Sequence, residues 1–146
     1  MMRAELGPAF AGATTAATVS FRGGCLSPQP LNSPLWEPLP VQARIVFCTC
    51  PNAEIAERIA RTLVEERLAA CVNAMGGLVS TYRWKDAIEV NDEVLLLIKT
   101  TADRLDSLQA RMIELHPYEL PELLAVEPVA GSAPYLAWLE RETRPA

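Results

Sequence analysis

The chain has 146 residues, half of them hydrophobic and 21% charged, which gives room and apolar content for one packed domain of ordinary size. Its 13 lysines and arginines are outnumbered by 18 aspartates and glutamates, for a net charge of −5, so there is no basic field to collect phosphates and no nucleic-acid partner is expected. Apolar runs such as Val94 to Ile98 are far shorter than the ~20 residues that cross a bilayer, so the expectation is a soluble protein with no membrane partner.

Residues 1–41 differ from the rest. Ala, Thr and Gly dominate as far as Gly24, and Pro28, Pro30, Pro34, Pro38 and Pro40 then follow in quick succession. Prolines remove backbone donors and hold a chain extended, and no periodic core pattern survives, so a disordered, Pro-rich extension is expected over 1–41 and a folded domain over 42–146. Ala13 to Thr18 is too polar for the apolar segment of a secretory signal. A weak targeting peptide, or a start placed upstream of the true one, remains an alternative for the same segment.

From Arg44 the punctuation is regular. Arg44-Ile-Val-Phe-Cys-Thr-Cys50 is β-branched and aromatic and predicts a strand that Pro51 stops. Asn52 is the expected N-cap of a helix of about four turns ending near Arg67, with Ile55, Ile59, Leu63 and Val64 at helical spacing. Ala70 to Ala74 predicts a second strand, Gly76-Gly77 a break or bulge, Leu78 to Trp84 its continuation, and Lys85-Asp86 a polar turn. Glu93 to Thr100 is the clearest strand. Leu105, Leu108, Met112 and Leu115 then form one helical stripe, which His116-Pro117 cannot comfortably continue. Glu122 to Val129 predicts a last long strand, and Pro134 opens a terminal helix with Leu136 and Leu139 turned inward.

The order β-α-β-β-α-β plus a C-terminal helix is the split βαβ, ferredoxin-like arrangement of an α+β fold. Both long helices should cover one face of its antiparallel sheet. Yet strands 93–100 and 122–129 carry apolar residues at consecutive positions, so both faces call for burial. The uncovered face is therefore expected to meet another subunit.

Four cysteines, Cys25, Cys48, Cys50 and Cys71, lack the dense spacing of a secreted disulfide scaffold, which favours a reducing, cytoplasmic setting. Cys48 and Cys50 lie two apart on one strand and so share a face; they are either buried apolar thiols or a pair of sulfur ligands. His116 is the only histidine, and a lone histidine after a helix is often a cap whose ring bonds a carbonyl. Neither a nucleophile elbow nor HExxH is present, so no enzyme is expected.

Leu68-Ala-Ala-Cys-Val-Asn73, Tyr82-Arg-Trp84, Leu96-Leu-Ile-Lys-Thr-Thr101, Leu115-His-Pro-Tyr-Glu119 with Pro121-Glu122, and Tyr135-Leu-Ala-Trp138 stand in the order and spacing of the CutA divalent-cation-tolerance family, which the chain resembles over residues 44 to 142. The resemblance implies a homotrimer similar to that of the PII signalling proteins. It also implies a role in metal-ion tolerance or response, with copper, or another divalent metal ion, as the cofactor. Cys48 and His116 match metal-ligand positions of copper-binding members, Cys50 is an additional candidate, and Leu115 stands where some members carry a second histidine. Thiolate and imidazole suit copper or zinc better than hard cations. Tyr82, Trp84, Tyr118 and Trp138 are expected at subunit contacts in preference to a stacking platform. Lys99, Glu119 and Glu122 line an inter-subunit cleft or form interface salt bridges. The runner-up reading is a PII-like sensor that binds a small anionic ligand in that cleft near Arg83 and Lys99, against which Gly76-Gly77 opens no phosphate loop.

Overall fold

The computed structural model describes residues 41–145. The expectation for the N-terminal extension, and Cys25 with it, falls outside these residues except for Val41.

Four strands and three α-helices follow in the order β1 (Ala43–Cys50), α1 (Ala53–Glu65), β2 (Cys71–Trp84), β3 (Ala87–Thr101), α2 (Leu105–Leu115), β4 (Leu124–Val126) and α3 (Ala133–Thr143), with a single 3-10 turn (Ala102–Arg104) leading into α2. The strands form one antiparallel sheet in the order β2-β3-β1-β4, the ferredoxin-like topology read from the sequence. The Asn52 side chain accepts from the Ile55 N–H at 2.9 Å and caps α1, satisfying one of the orphan donors of its first turn.

Strand alternation divides the side chains of β1 and β3 between two faces. Val46, Cys48, Cys50, Leu96 and Ile98 point to the helices and pack with Ile59 and Leu63 of α1 and Leu108 and Met112 of α2 in the main core. The opposite face carries Ile45, Phe47, Leu95 and Leu97, which are only half-buried, together with the exposed Met75 and Leu124. Helix α3 covers one end of that face, where Leu136 and Leu139 pack on Val41, Ala43 and Ala70. Val41 therefore belongs to a core cluster although it sits before the expected domain start.

Two elements differ from the sequence reading. β3 begins at Ala87 rather than Glu93, because the Lys85-Asp86 turn, with φ of 45° and 68°, closes a long hairpin whose register pairs Trp84 with Ala87 and Tyr82 with Glu89. β4 has three residues instead of eight, for it is an edge strand that meets β1 only from Phe47 back to Ile45. The bulge falls between Met75 and Leu78 as expected, and Gly77 takes the positive φ of 79° that it requires.

Candidate metal centre

Cys48 and Cys50 lie at the end of β1 on its helix-facing side, and both are fully buried. His116, 7% exposed, follows the last residue of α2, and its N–H closes that helix on the Met112 carbonyl at 2.9 Å. The extended backbone of His116 at the helix end, forced by Pro117, turns the ring onto β1. The ligating atoms of Cys48, Cys50 and His116 thus lie within 4.8 Å of one another, and Cys50 Sγ is 3.7 Å from His116 Nε2. This is the one cluster of three such groups among the described residues.

The donor set fits a soft ion. Two metal–sulfur bonds of about 2.3 Å span at most about 4.6 Å, so shifts of a few tenths of an ångström bring the two sulfurs within the span of one centre. The Cys48 thiol donates to the Thr49 carbonyl at 3.7 Å, and its pKa is raised first by its interaction with Cys50 and then by burial and the negative charges nearby. The same neighbour lowers the pKa of Cys50 despite its burial. One thiolate, one thiol and a neutral imidazole suit a monovalent soft ion, whereas loss of the second proton suits a divalent one.

The imidazole is neutral because burial outweighs the Thr49 carbonyl and Glu93, which both favour the charged form, and its pKa is lowered. Its tautomer follows from its partners. The Tyr118 N–H donates to Nδ1 at 3.1 Å, so the proton sits on Nε2, which donates to the Thr49 carbonyl at 2.9 Å. Metal ligation through Nε2 therefore requires the ring to release Thr49 and move its proton to Nδ1, at the expense of the Tyr118 contact. The same two bonds are what a structural cap would make.

A cleft of about 520 Å³ adjoins the centre across Thr49. It gathers Tyr82, Trp84, Tyr118, Glu119 and Glu122 from the residues singled out in the sequence. The remaining three lie elsewhere: Arg83 reaches back to the Asp86 carbonyl, Lys99 bonds Asn73, and Trp138 packs on Tyr135 at 5.4 Å and lines a separate hollow with Arg67 and Glu142. Two acidic residues of the cleft escaped the sequence reading of the site, Glu89 and Glu93. Counting outward from the Lys85-Asp86 turn sets Glu89 opposite Tyr82, a signal lost when the strand was begun at Glu93. The lining holds four carboxylates and no lysine or arginine, which disfavours the anionic ligand of the runner-up reading.

A split βαβ subunit with a buried thiol–imidazole cluster at one end of its central strand defines a ferredoxin-like protein with a soft-metal donor set. The family model described as CutA1 divalent ion tolerance protein matches residues 44–142, and the chain belongs to that family. It is 46% identical over 99 residues to the divalent-cation tolerance protein CutA of Thermus thermophilus, covering 68% of this chain and 96% of that one. Against Protein CutA of Mus musculus the identity is 42% over 105 residues, 72% of this chain but 59% of the mouse protein. The solved structure described as the periplasmic divalent cation tolerance protein CutA from Archaeoglobus fulgidus superposes with a TM-score of 0.68 at 29% identity, over 70% of this chain and 99% of that chain.

Proposed function

We propose that this protein is a non-enzymatic homotrimer that binds copper, or a comparably soft divalent ion, at Cys48, Cys50 and His116, and acts in metal-ion tolerance or response. The observation that carries the reading is the convergence of two thiols and one imidazole within 4.8 Å in a buried pocket, a donor set with no oxygen cage for Mg(II) or Ca(II). The thiol pair fits a reducing, cytoplasmic compartment. No helix among the described residues is long and apolar enough to cross a membrane.

Assembly is supported by what the subunit leaves open. Phe47, Leu95 and Leu97 stand half-buried on the face opposite the helices. On the outer hairpin, Val79, Ile88 and Val90 are each about 60% exposed on the helix side, beyond the reach of the helices. Large apolar groups in that number and arrangement support an interface between subunits.

The metal site is tested by Cu(I) titration against a competing chelator. Cys48→Ser with His116→Ala should lower the affinity tenfold or more, while Mg(II) and Ca(II) leave the protein unmoved. Unchanged copper affinity in the double variant places the ion elsewhere. Full affinity in His116→Gln, with loss only in the cysteine variants, reduces the ring to its capping bonds and leaves a two-sulfur site.

A further inference from the structure

Cys48 and Cys50 are fully buried, packed between the sheet and the helices that cover it, so a metal ion reaches them only if some part of the wall opens. Beside them stands His116, whose Nε2 lies 3.7 Å from Cys50 Sγ. It begins residues 116–123, which join α2 to β4 and belong to no helix or strand. This connection is anchored at its two ends, where Leu115 and Leu123 pack on the main core. Between the anchors Pro117, Glu119 and Leu120 are exposed, Leu120 by 72%. Within 117–122 only Tyr118 forms hydrogen bonds, among the described residues. Its backbone N–H donates to His116 Nδ1 at 3.1 Å, and its hydroxyl donates to Glu93 Oε1 on β3 at 2.8 Å. Its ring meets the His116 ring edge-on, with 4.9 Å between centroids. One residue therefore ties the loop to the sheet and also holds the imidazole over Cys50.

We propose that residues 116–120 form a gate over the thiol pair, latched by the Tyr118 hydroxyl on Glu93, and that small reactants, the metal ion included, reach the sulfurs only when the latch opens. The inference deepens the metal reading above and rests on it. Buried groups meet solvent through local openings, and the easiest opening is the one that breaks the fewest packed contacts. Exposing the sulfurs through α1, α2 or the sheet would unpack core side chains such as Ile59, Leu96 and Met112. The gate breaks only the two Tyr118 bonds and the bond from His116 Nε2 to the Thr49 carbonyl. The His116 N–H stays on the Met112 carbonyl, so α2 is left intact. Loops that admit ligands are drawn from such weakly held segments.

Alkylation of Cys48 and Cys50 by iodoacetamide in the full-length, metal-free protein, read by peptide mass mapping, measures the opening directly. Tyr118→Phe removes the latch and keeps the ring, so alkylation should speed by about fivefold or more, the factor set by the loss of one hydrogen bond. Leu139→Ala weakens the α3 cluster at the opposite end of β1 and should leave the rate as in the wild type. Stopped-flow uptake of Cu(I) from a chelate should speed in Tyr118→Phe by a like factor. Equal alkylation of Tyr118→Phe and wild type overturns the gate, whether the thiols open by another route or a neighbouring subunit holds the loop shut. An acceleration in Leu139→Ala as large as that in Tyr118→Phe also overturns it, since exposure then comes from unfolding of the domain. The metal reading fails separately: if copper does not bind while Tyr118→Phe still speeds alkylation, the gate stands without its ion.

Discussion

Two adjacent leucines on β3 separate folding from assembly. Leu96 is fully buried on the helix side, within the cluster that contains Ile59, Leu63 and Met112. Leu97 points the other way, flanked by Phe47 and Asn73 in the register, and is only half-buried. Leu96→Asp forfeits about 1.5 to 3 kcal/mol of apolar burial and adds several kcal/mol for an unpaired buried carboxylate. That total is comparable with the ~5 to 15 kcal/mol of a whole domain, so the chain should not fold. Leu97→Asp costs the isolated subunit about 1 kcal/mol, since its carboxylate reaches water. In an assembly closed over that face it buries one charge per subunit, at several kcal/mol each. Sedimentation equilibrium with far-UV circular dichroism should give three times 16.0 kDa for the wild type, a folded species of one subunit mass for Leu97→Asp, and an unfolded chain for Leu96→Asp. A wild-type mass of 16.0 kDa at micromolar concentration, or a Leu97→Asp protein that keeps the wild-type mass, refutes the argument that the open face is an interface.

The Tyr118 hydroxyl, partly buried and donating to Glu93, has its pKa raised, chiefly by desolvation and then by that carboxylate. A raised acid contributes stability that is fully present below its unfolded value near 10 and is lost as pH rises beyond it. Thermal melts should therefore show Tyr118→Phe least stable relative to wild type near pH 8, and the gap should narrow by pH 11; a gap independent of pH dissociates the hydroxyl from the effect. At the other end of the domain, a chain beginning at Pro40 should melt within ~5 °C of the full protein. One beginning at Gln42 forgoes Val41, 8% exposed against Leu136 and Leu139, and should lose about 1 to 2 kcal/mol. Equal melting of the two shortened chains removes Val41 from the core.

Most of the fold was legible because its helices and central strands announce themselves locally. The α1 cap, the inward stripe of α2 and the bulge at Gly76-Gly77 each rest on residues within one or two turns of one another. The outer half of β3 was not legible, since Asn91 and Asp92 are polar and the strand there is held by its partner across the hairpin. β4 failed in the opposite sense: its apolar run promised a long strand, but its pairing depends on an edge that only three residues reach. The same tertiary dependence governed the sites. Cys48 and Cys50 share a face by strand period alone, whereas the closeness of His116 to them depends on where α2 sets its C-terminus, and the acids of the cleft on a hairpin register.

The segment Cys48-Thr49-Cys50 is where these two chemistries divide. Alternation sends both sulfurs toward the helices and the Thr49 side chain toward the cleft, while the Thr49 carbonyl holds His116 at 2.9 Å. One three-residue stretch therefore borders a soft, nearly dry donor pocket on one side and an acidic, aromatic cavity on the other. The two are not electrostatically separate. Glu93, a wall of the cleft, raises the pKa of both thiols, and Glu122 adds to its effect on Cys48.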